Sequence, residues 1–440
     1  MTRNTESTIQ NDSALGDLRV IDLTSEHGAY CGKLLAELGA DVVKVEPLDG
    51  DPARQIAPFL GDEPGSENSL FFLFMNTGKR SIALDASAPA GKDILHGLID
   101  TADLLVEDLD GEHVRALGLE YETLSGRNAG IVVTSITPFG RTGPYRDFVA
   151  SDLTIMGMAG ALYNYGMPHK PPNRLPGHQA TILAGIHGAI GALTALYVRD
   201  LTSKGQHVDV SMQDAISTVS LTEVLAFDRA GRVTKRSGMR RIYPATGVYR
   251  CADGYSSWVC GGVHWKALIE WMNAEGMAED LPQPEWRETI QEMTTNRGGR
   301  ALVGVDEETR KQIIARYRHV EDVFSRFVES RTKAQILGGS MRYRIPVLPV
   351  LTAKEIADHE GLAARNFWVE LPTGPNGKSI RYPGPPFRLT VTPPSLSRAA
   401  PRLGEHTREI LSELGLTRER AVELREQGVI FEGRESDVAV

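Results

Sequence analysis

The sequence predicts an α/β fold that begins with a doubly wound parallel sheet. Short apolar runs rich in β-branched residues alternate with longer segments of helical period, which is the order of βαβ units. Such units join parallel strands through right-handed connections. The chain has 440 residues, which is too long for one compact core, so a second domain is also expected.

The first βαβ unit lies between Leu18 and Pro47. LRVIDLT (18–24) is a bounded apolar run and predicts a buried strand. GAYCGKLLAELGA (28–40) has helical period and closes near a glycine, and ADVVKVEP (40–47) predicts the second strand. The loop from strand to helix is therefore short and passes through residues 25–28.

The alternation continues to Thr137. RSIALD (80–85), DLLVED (103–108) and GIVVTSIT (130–137) predict strands, and AGKDILHGLIDTA (90–102) predicts an amphipathic helix. Doubly wound sheets bind nucleotide-like ligands at the carboxyl ends of their strands, where the strand order reverses. The loops that follow these strands are the first place to look for a ligand.

The middle of the chain has a different pattern. Residues 157–201 are helical in period and rich in alanine and glycine, which allows close helix packing. GVYRCADGYSSWVCGG (247–262) predicts a hairpin around Asp-Gly, and charge-rich helices such as the one in 307–328 follow. These features indicate a smaller central domain.

The pattern returns to α/β at IPVLPVLTAKEIADHEGL (345–362), and RYPGPPFRLT (381–390) is expected to be extended. Two short helices around Gly415 end the chain. The predicted organisation is 1–215 for the first part of a large domain, 216–340 for the small domain and 341–440 for the second part of the large domain.

Composition narrows the classes of function. The net charge of −9 and the pI near 5.7 argue against a nucleic-acid partner, which would need a basic face. The three cysteines form no CxxC pair and lie beside no histidine cluster, so no metal site is expected. The polar N-terminus is unlike a signal peptide, and no membrane span is expected from the sequence, so we expect a cytoplasmic protein.

Several segments together resemble the class III CoA-transferase family, which includes formyl-CoA and carnitine CoA-transferases and the bile-acid-inducible proteins. They run in order along nearly the whole chain, and the central domain matches least well. These segments are RVIDLT, GKLLAELGADVVKVEP, NTGKRSIALD, ADLLVEDL, VRALGLEYETL, ITPFGRTGPYRD, IGALTALYVRDLTSKGQHVDVSMQDA, RYPGPPFRLT and LGEHTREILSELGL.

The resemblance implies a Rossmann-like large domain made from both ends of the chain and a small central domain. It also implies an interlocked dimer, in which two chains thread through each other and bury a large obligate interface. The expected cofactor is coenzyme A, present as an acyl-CoA substrate, and the second substrate is a carboxylic acid.

The resemblance also assigns a CoA pocket. His27, Gly28 and Ala29 occupy the loop after the first strand, where small residues let the backbone approach the ligand. Arg115 matches an arginine that meets a CoA phosphate, which suits a guanidinium fork, and Leu84 matches an apolar contact to adenine.

Two basic positions of the family are absent here. Pro47 and Ser87 stand where relatives carry basic residues. Arg54, Lys79 and Arg80 are candidates to replace them, and the alternative for each is a charge with no role in binding.

The family reacts through an aspartate, and this sequence lacks it. The aspartate attacks the acyl-CoA thioester, the released CoA thiolate then attacks the aspartyl carbonyl, and the acceptor acid takes CoA by the reverse steps. It lies four residues before a glycine, here Gly185, so Thr181 occupies its position. Residues 176–191 contain no Asp or Glu at all.

Neither nearby group replaces the aspartate by the family route. A hydroxyl or imidazole brings no carbonyl on which CoA could be carried, which disqualifies Thr181 and His178 as CoA carriers. Asp152 is a candidate displaced nucleophile, although a helix cap is the more common role for such a residue. His178 is also a candidate general base, against the commoner role of a hydrogen-bonded loop histidine.

Four functions follow. The favoured one is the subunit without the aspartate in a heteromeric transferase, of the kind found among benzylsuccinate CoA-transferases, with an aspartate-bearing paralogue as partner and succinyl-CoA as a candidate donor. The alternatives are an active homodimer with a displaced carboxylate, a CoA-binding protein without chemistry, and an acyl-CoA racemase. The last is disfavoured because Ser151 and Thr181 stand at the racemase histidine and aspartate positions.

The acyl group is not specified by the sequence. Met239, Tyr243, Trp258 and Trp265 form an apolar stretch that could receive a bulky or aromatic acid, and core packing is the commoner role of such residues.

Overall fold

The computed structural model describes residues 13–236, 238, 244–295, 305–373 and 378–433. The chain forms two compact units. The large unit contains residues 1–161, 175–225 and 361–440, and the small unit contains residues 162–174 and 226–360. The divisions after residues 225 and 360 thus differ from those placed after residues 215 and 340 by the sequence, and residues 162–174 join the small unit.

The described residues contain twelve strands. Their bounds are β1 Arg19–Leu23, β2 Asp41–Glu46, β3 Arg80–Leu84, β4 Leu104–Glu107, β5 Val132–Thr137, β6 His207–Ser211, β7 Thr246–Cys251, β8 Gly254–Val259, β9 Val347–Val350, β10 Trp368–Thr373, β11 Lys378–Pro383 and β12 Ile430–Phe431.

The helices are distributed between and around these strands. Their bounds are α1 Ala29–Glu37, α2 Leu70–Met75, α3 Pro89–Asp100, α4 Gly111–Leu117, α5 Tyr121–Arg127, α6 Asp152–Met158, α7 Gln179–Thr202, α8 Met212–Ser217, α9 Leu221–Ala230, α10 Trp265–Ala274, α11 Pro284–Thr295, α12 Glu307–Glu329, α13 Lys333–Tyr343, α14 Ala353–Ala357, α15 Glu360–Ala364, α16 Thr407–Glu413 and α17 Arg418–Glu426. Short 3₁₀ turns occur at Pro52–Gln55, Leu60–Asp62, Thr218–Ser220 and Gly262–His264.

The large unit is built on a seven-stranded sheet of order β12-β3-β2-β1-β4-β5-β6. Strands β1 to β6 are parallel, and β12 closes one edge antiparallel to β3. Strands β3, β4 and β5 are buried at every position, as expected for parallel strands covered on both faces. The order reverses between β1 and β4, so the predicted doubly wound fold with its switch point is confirmed.

Helix α7 packs closely within the large unit because glycines face its neighbours. A Cβ at Gly185 would lie 2.7 Å from Cβ of Tyr30, and one at Gly188 would lie 2.6 Å from Cδ1 of Ile136. These distances are too short for a side chain, so the small residues permit α7 to lie against α1 and β5, as the sequence predicted.

Helix α7 also corrects one expectation from the sequence. Its 24 residues include a window with a mean hydropathy of 1.6, long and apolar enough by composition to span a bilayer. No such stretch is expected from the sequence. Of that window, 44% is buried inside the protein, on the side that packs against α1 and β5.

The small unit contains the three-stranded antiparallel sheet β7-β8-β9. Strands β7 and β8 form the predicted hairpin, with Cys251 opposite Gly254 at the turn. An aromatic core stabilises this unit: Trp258 lies edge-on to Phe324 at 4.8 Å between ring centroids, and Trp271 lies edge-on to Phe327 at 5.0 Å.

Two element predictions are wrong. No helix covers residues 159–178, although the sequence pattern was helical from residue 157. Strand β9 pairs with β8 in the small unit, whereas the sequence placed it in the large domain. Local period cannot distinguish these cases because strand partners and turn geometry depend on distant residues.

Candidate active site

The carboxyl ends of β1 and β4 meet at the switch point of the sheet. The carboxylate of Asp108, directly after β4, accepts backbone N–H groups from the loop after β1: Ser25 at 2.9 and 2.8 Å, His27 at 3.0 Å and Gly28 at 3.0 Å. This carboxylate therefore holds the loop that the sequence assigned to CoA. Asp108 is not among the site residues predicted from the sequence, although its place directly after a predicted strand is a signal that could have identified it.

Asp108 has an unusual ionisation. Burial raises the pKa of Asp108 to about 6, and the charge of Asp51 acts in the same direction. The backbone donors and His27 oppose that rise. A carboxylate at the switch point thus titrates much closer to neutrality than an ordinary aspartate.

The three loop residues assigned to CoA differ in how accessible their side-chain positions are. Gly28 is the N-cap of α1, and a Cβ there would lie 2.5 Å from Cγ2 of Thr24, so a side chain does not fit. His27 is half-buried with its Nδ1 lacking a hydrogen-bond partner. Ala29 is fully buried in an apolar cluster with Phe71 and Phe72, so its side chain is not accessible to a ligand.

A buried network of ion pairs contacts this loop from the protein interior. Lys44 donates to the carbonyl oxygen of Thr24 at 2.6 Å and pairs with Asp51 at 2.6 Å. Arg54 pairs with Glu46 at 2.7 Å and is 1% exposed. Since these charges are satisfied inside the protein, Arg54 is committed to the network and is not an open phosphate ligand.

The predicted role of Lys79 and Arg80 as phosphate ligands meets the same difficulty, because both side chains are engaged in ion pairs inside the protein. Lys79 is fully buried, pairs with Asp22 at 2.6 Å and donates to the carbonyl oxygen of Ala29 at 2.9 Å. Burial lowers the pKa of Lys79, and the Asp22 charge opposes that effect. Lys79 therefore anchors the loop from inside, and its ammonium is not open to a phosphate.

Arg80 lies at the amino end of β3, at the sheet edge opposite the switch point. Its guanidinium contacts Asp41 at 2.6 Å, Glu413 at 2.6 Å and Glu409 at 2.8 Å. Three carboxylates occupy the fork, so Arg80 ties β3 to β2 and α16.

The two remaining residues of the predicted CoA pocket differ in exposure. Arg115 on α4 is exposed, and no ion pair joins it to any residue in the described part of the chain. Its Nη1 lies 3.3 Å from where a Cβ of Gly111 would be, so the guanidinium lies over the first turn of the helix. Leu84 is 2% exposed and belongs to the core, so an adenine contact would require movement.

Thr181 lies in the first turn of α7 and is fully buried. Its backbone N–H donates to Oδ1 of Asp152 at 3.0 Å, and its hydroxyl has no hydrogen-bond partner. The position of the family nucleophile is therefore filled by an uncharged, inward-facing side chain.

Asp152 is 5% exposed and begins α6. The N-cap of that helix is Ser151, which forms a capping box with Thr154, so Asp152 instead caps α7 through Thr181. Its Oδ2 has no hydrogen-bond partner. Asp152, the carboxylate that the sequence analysis proposed as a displaced nucleophile, therefore contacts the residue at the family aspartate position.

His178 is the N-cap residue of α7 and makes no side-chain cap. Its ring centroid lies 4.5 Å from that of Phe71, and its Nδ1 lies 3.9 Å from Oε1 of Glu26. Because Glu26 is in the loop after β1, this contact brings the start of α7 to the predicted CoA loop.

The aromatic stretch predicted from the sequence is only partly described. Trp258 and Trp265 are 0% and 3% exposed and belong to the core of the small unit. Met239 and Tyr243 lie outside the described residues. Within the ranges that the structure describes, no group of three or more His, Cys, Asp or Glu could hold a metal ion.

Comparison with known proteins gives one consistent answer. Residues 15–407 match CoA-transferase family III. The chain is 36% identical to the succinyl-CoA:(R)-benzylsuccinate CoA-transferase subunit BbsE of Thauera aromatica, over 94% of this chain and 97% of that protein. It is 30% identical to the succinyl-CoA:mesaconate CoA-transferase of Haloarcula hispanica, over 92% and 97%.

Solved structures agree. A CAIB/BAIF family protein from Brucella suis superposes with a TM-score of 0.77 at 26% identity, covering 92% of this chain and 100% of that one.

Proposed function

Because the chain belongs to CoA-transferase family III and is a class III CoA-transferase, we propose that it serves as the subunit without the aspartate in a heteromeric enzyme. The enzyme would move CoA from an acyl-CoA donor, with succinyl-CoA as the first candidate, to a carboxylic acid. The observation that carries the proposal is the buried Thr181 at the start of α7, where the family carries its aspartate. A relative named as a subunit supports it.

In this proposal the partner performs the covalent steps. Its aspartate oxygen attacks the thioester carbonyl, the C–S bond breaks, and CoA leaves as a thiolate. The thiolate attacks the aspartyl carbonyl of the mixed anhydride and expels the donor as a free carboxylate. The acceptor acid and the enzyme thioester then repeat these steps in reverse, which returns the aspartate.

This chain supplies structure and ligand contacts. Asp108 holds the loop from His27 to Ala29 at the switch point of the sheet. Arg115 has an exposed guanidinium on α4, the helix that follows β4 and Asp108. We propose that these groups bind the adenosine-phosphate end of CoA.

The proposed assembly is an interlocked dimer with a paralogue, located in the cytoplasm. Helix α7 exposes apolar side chains on one face, Ile190 at 56%, Tyr197 at 66% and Leu201 at 69%. An apolar stripe of this kind is typical of a surface covered by another chain.

A second candidate is an active homodimer that uses Asp152. Its support is the position of that carboxylate, with one oxygen 3.0 Å from the Thr181 nitrogen and the other without a hydrogen bond. Against it, Asp152 is nearly fully buried and serves as a cap.

Intact mass spectrometry after incubation with succinyl-CoA separates the candidates. For the chain alone we expect no mass gain, and for Thr181→Asp we expect a gain equal to CoA that hydroxylamine removes. Thr181→Asn is the matched control without a nucleophile. When an aspartate-bearing paralogue is co-expressed, we expect the adduct on that paralogue.

A hydroxylamine-sensitive CoA adduct on the unmodified chain would contradict the subunit proposal. Loss of that adduct in Asp152→Asn would then identify the displaced nucleophile.

A further inference from the structure

A long connection joins the two helices that meet at the family aspartate position. Residues 159–178 lead from α6 to α7, and these helices share the hydrogen bond between Asp152 and Thr181. The connection is described at every residue and contains no helix or strand. Connections longer than about 12–15 residues without secondary structure are uncommon in compact domains and usually serve a function. Its conformation therefore depends on turns and on side chains from other parts of the chain.

The guanidinium of Arg236 holds the middle of this connection. Its Nη1 donates to the carbonyl oxygen of Tyr163 at 2.8 Å, its Nη2 to that of Lys170 at 3.2 Å, and its Nε to that of Met167 at 3.4 Å. Its central carbon also lies 5.5 Å from the centroid of the Tyr163 ring. Arg236 and residues 162–174 belong to the small unit. Three carbonyl groups are thus fixed to one rigid, planar side chain.

The backbone beside Arg236 follows the same loop. The N–H of Lys170 donates to the carbonyl oxygen of Met167 at 3.2 Å, which closes a turn. Gly238 has a φ of +70°, and a Cβ there would lie 2.9 Å from Sδ of Met167. A side chain at Gly238 would therefore crowd the turn that Arg236 binds.

Arg236 differs from the other basic residues of its segment. Its side chain is half-buried, whereas Arg229, Arg232 and Lys235 are exposed. A charged side chain that is partly removed from water and bonded to several carbonyl groups contributes more than a solvated surface charge does. Arg236 is thus the basic residue of this segment whose loss should change the loop.

The far end of the connection is tied to the first turn of α7. The side-chain amide of Gln179 donates to the carbonyl oxygen of Pro176 at 2.8 Å. The N–H of Ile182 donates to the carbonyl oxygen of His178 at 2.9 Å. A displacement of the loop is therefore transmitted along the chain to the backbone of Thr181.

We propose that Arg236 is a positioning residue for the reacting position of the family: by holding residues 163–170, it fixes the entry of the chain into α7 and thereby the place of residue 181. The inference rests on the proposed function, because it concerns the reaction that Thr181→Asp is expected to restore. An arginine suits the role since its fork reaches carbonyl groups that a single ammonium nitrogen does not reach together.

The first measurement is amide hydrogen exchange by mass spectrometry on the full chain, which requires no CoA chemistry. In Arg236→Gln, peptides that contain Lys170 and Thr181 should exchange about 10-fold faster, because local opening becomes easier. Arg236→Lys keeps the charge without the fork and should also exchange faster. The matched control, Arg232→Gln, removes an exposed charge from the same segment and should stay within about twofold of the unmodified chain.

The second measurement is the rate of CoA adduct formation on Thr181→Asp as a function of succinyl-CoA concentration. Adding Arg236→Gln should lower the maximal rate about 10-fold and leave the half-saturating concentration within about twofold, because the nucleophile is misplaced while substrate binding is retained. Exchange in the hairpin of β7 and β8 should be unchanged, which shows that the folded fraction is the same.

Unchanged exchange at Thr181 in Arg236→Gln would overturn the proposal, as would an unchanged maximal rate in the double variant. Equal effects of Arg232→Gln and Arg236→Gln would also overturn it. If Thr181→Asp forms no adduct while Arg236 is intact, the proposed function fails, and the exchange at Thr181 still decides whether Arg236 positions the start of α7. If Arg236→Gln does not fold by circular dichroism, Arg236→Lys replaces it in both measurements.

Discussion

Asp108 shows how one side chain sets both the shape and the charge of the predicted CoA loop. It receives N–H groups from Ser25, His27 and Gly28, and its own ionisation is shifted by burial. The loop is therefore held in one conformation before any ligand arrives, which reduces the entropy cost of binding.

The shifted carboxyl predicts a pH dependence of stability. With a folded pKa of about 6 against about 3.9 in unfolded chains, the folded protein binds more protons between these values. The stabilisation from the neutral form is present below about pH 4 and is lost as the pH rises through about 6. The Tm advantage of the unmodified chain over Asp108→Asn should shrink across this window in thermal scans.

Asp85 provides the opposite control. Hydrogen bonds from Ser87 lower the pKa of Asp85, so its contribution is present above about pH 4 and lost in more acidic solution. The Tm difference for Asp85→Asn should be flat from about pH 5 to 7. A flat difference for Asp108→Asn over pH 4 to 6 would contradict the raised pKa.

Arg115 differs from the other predicted phosphate ligands because its guanidinium is exposed and uncommitted. Arg115→Gln should raise the Kd for CoA by about 10-fold, since one charge-assisted contact to a phosphate is lost. The measurement is titration calorimetry, with the exposed Arg418→Gln on α17 as control. Equal affinities of the two variants would exclude Arg115 from the pocket.

At the scale of elements, α7 decides the geometry of the site. Its first turn carries Thr181, its N-cap His178 lies 3.9 Å from Glu26 in the predicted CoA loop, and Gly185 allows it to approach α1. The same helix therefore contributes to the core of the large unit and to the candidate active site. A shift of α7 relative to α1 should affect both stability and ligand binding.

Gly185→Ala tests the close packing of α7 against α1. The new Cβ would lie 2.7 Å from Cβ of Tyr30 and 3.0 Å from the backbone nitrogen of Cys31, so α1 or α7 must shift. We expect a loss of about 1–3 kcal/mol in the free energy of unfolding, and weaker CoA binding. Denaturant unfolding and CoA titration measure the two effects.

Gly126→Ala in α5 is the matched control, because nothing lies within 4 Å of its added Cβ. It should be neutral or stabilise by about 0.5–1 kcal/mol. If both variants behave alike, the close approach of α7 to α1 is not what the glycine provides.

For the whole molecule, the proposed dimer would cover the exposed apolar face of α7. Native mass spectrometry should show a species of about twice the 48.1 kDa chain mass for a homodimer. When an aspartate-bearing paralogue is co-expressed, a heterodimer with one copy of each chain should replace the homodimer. A monomer at micromolar concentration in both experiments would contradict the proposed dimer.

The sequence by itself determined the large-scale plan. Alternating apolar runs gave β1, β2, β3, β4 and β5 with boundaries close to those observed, because burial on both faces of a parallel sheet requires such runs. It also determined that no carboxylate stands at Thr181, since that follows from chain order alone.

Only the tertiary structure decided which charges are free. Lys79 and Arg80 read as candidate phosphate ligands in the sequence, yet their partners Asp22 and Glu413 lie 57 and 333 positions away and occupy them fully. The role of Asp108 depends likewise on a loop about 80 positions earlier. Ionic and hydrogen-bond partners are chosen by distance in space, which local sequence patterns do not encode, whereas burial periodicity is local and can be read directly.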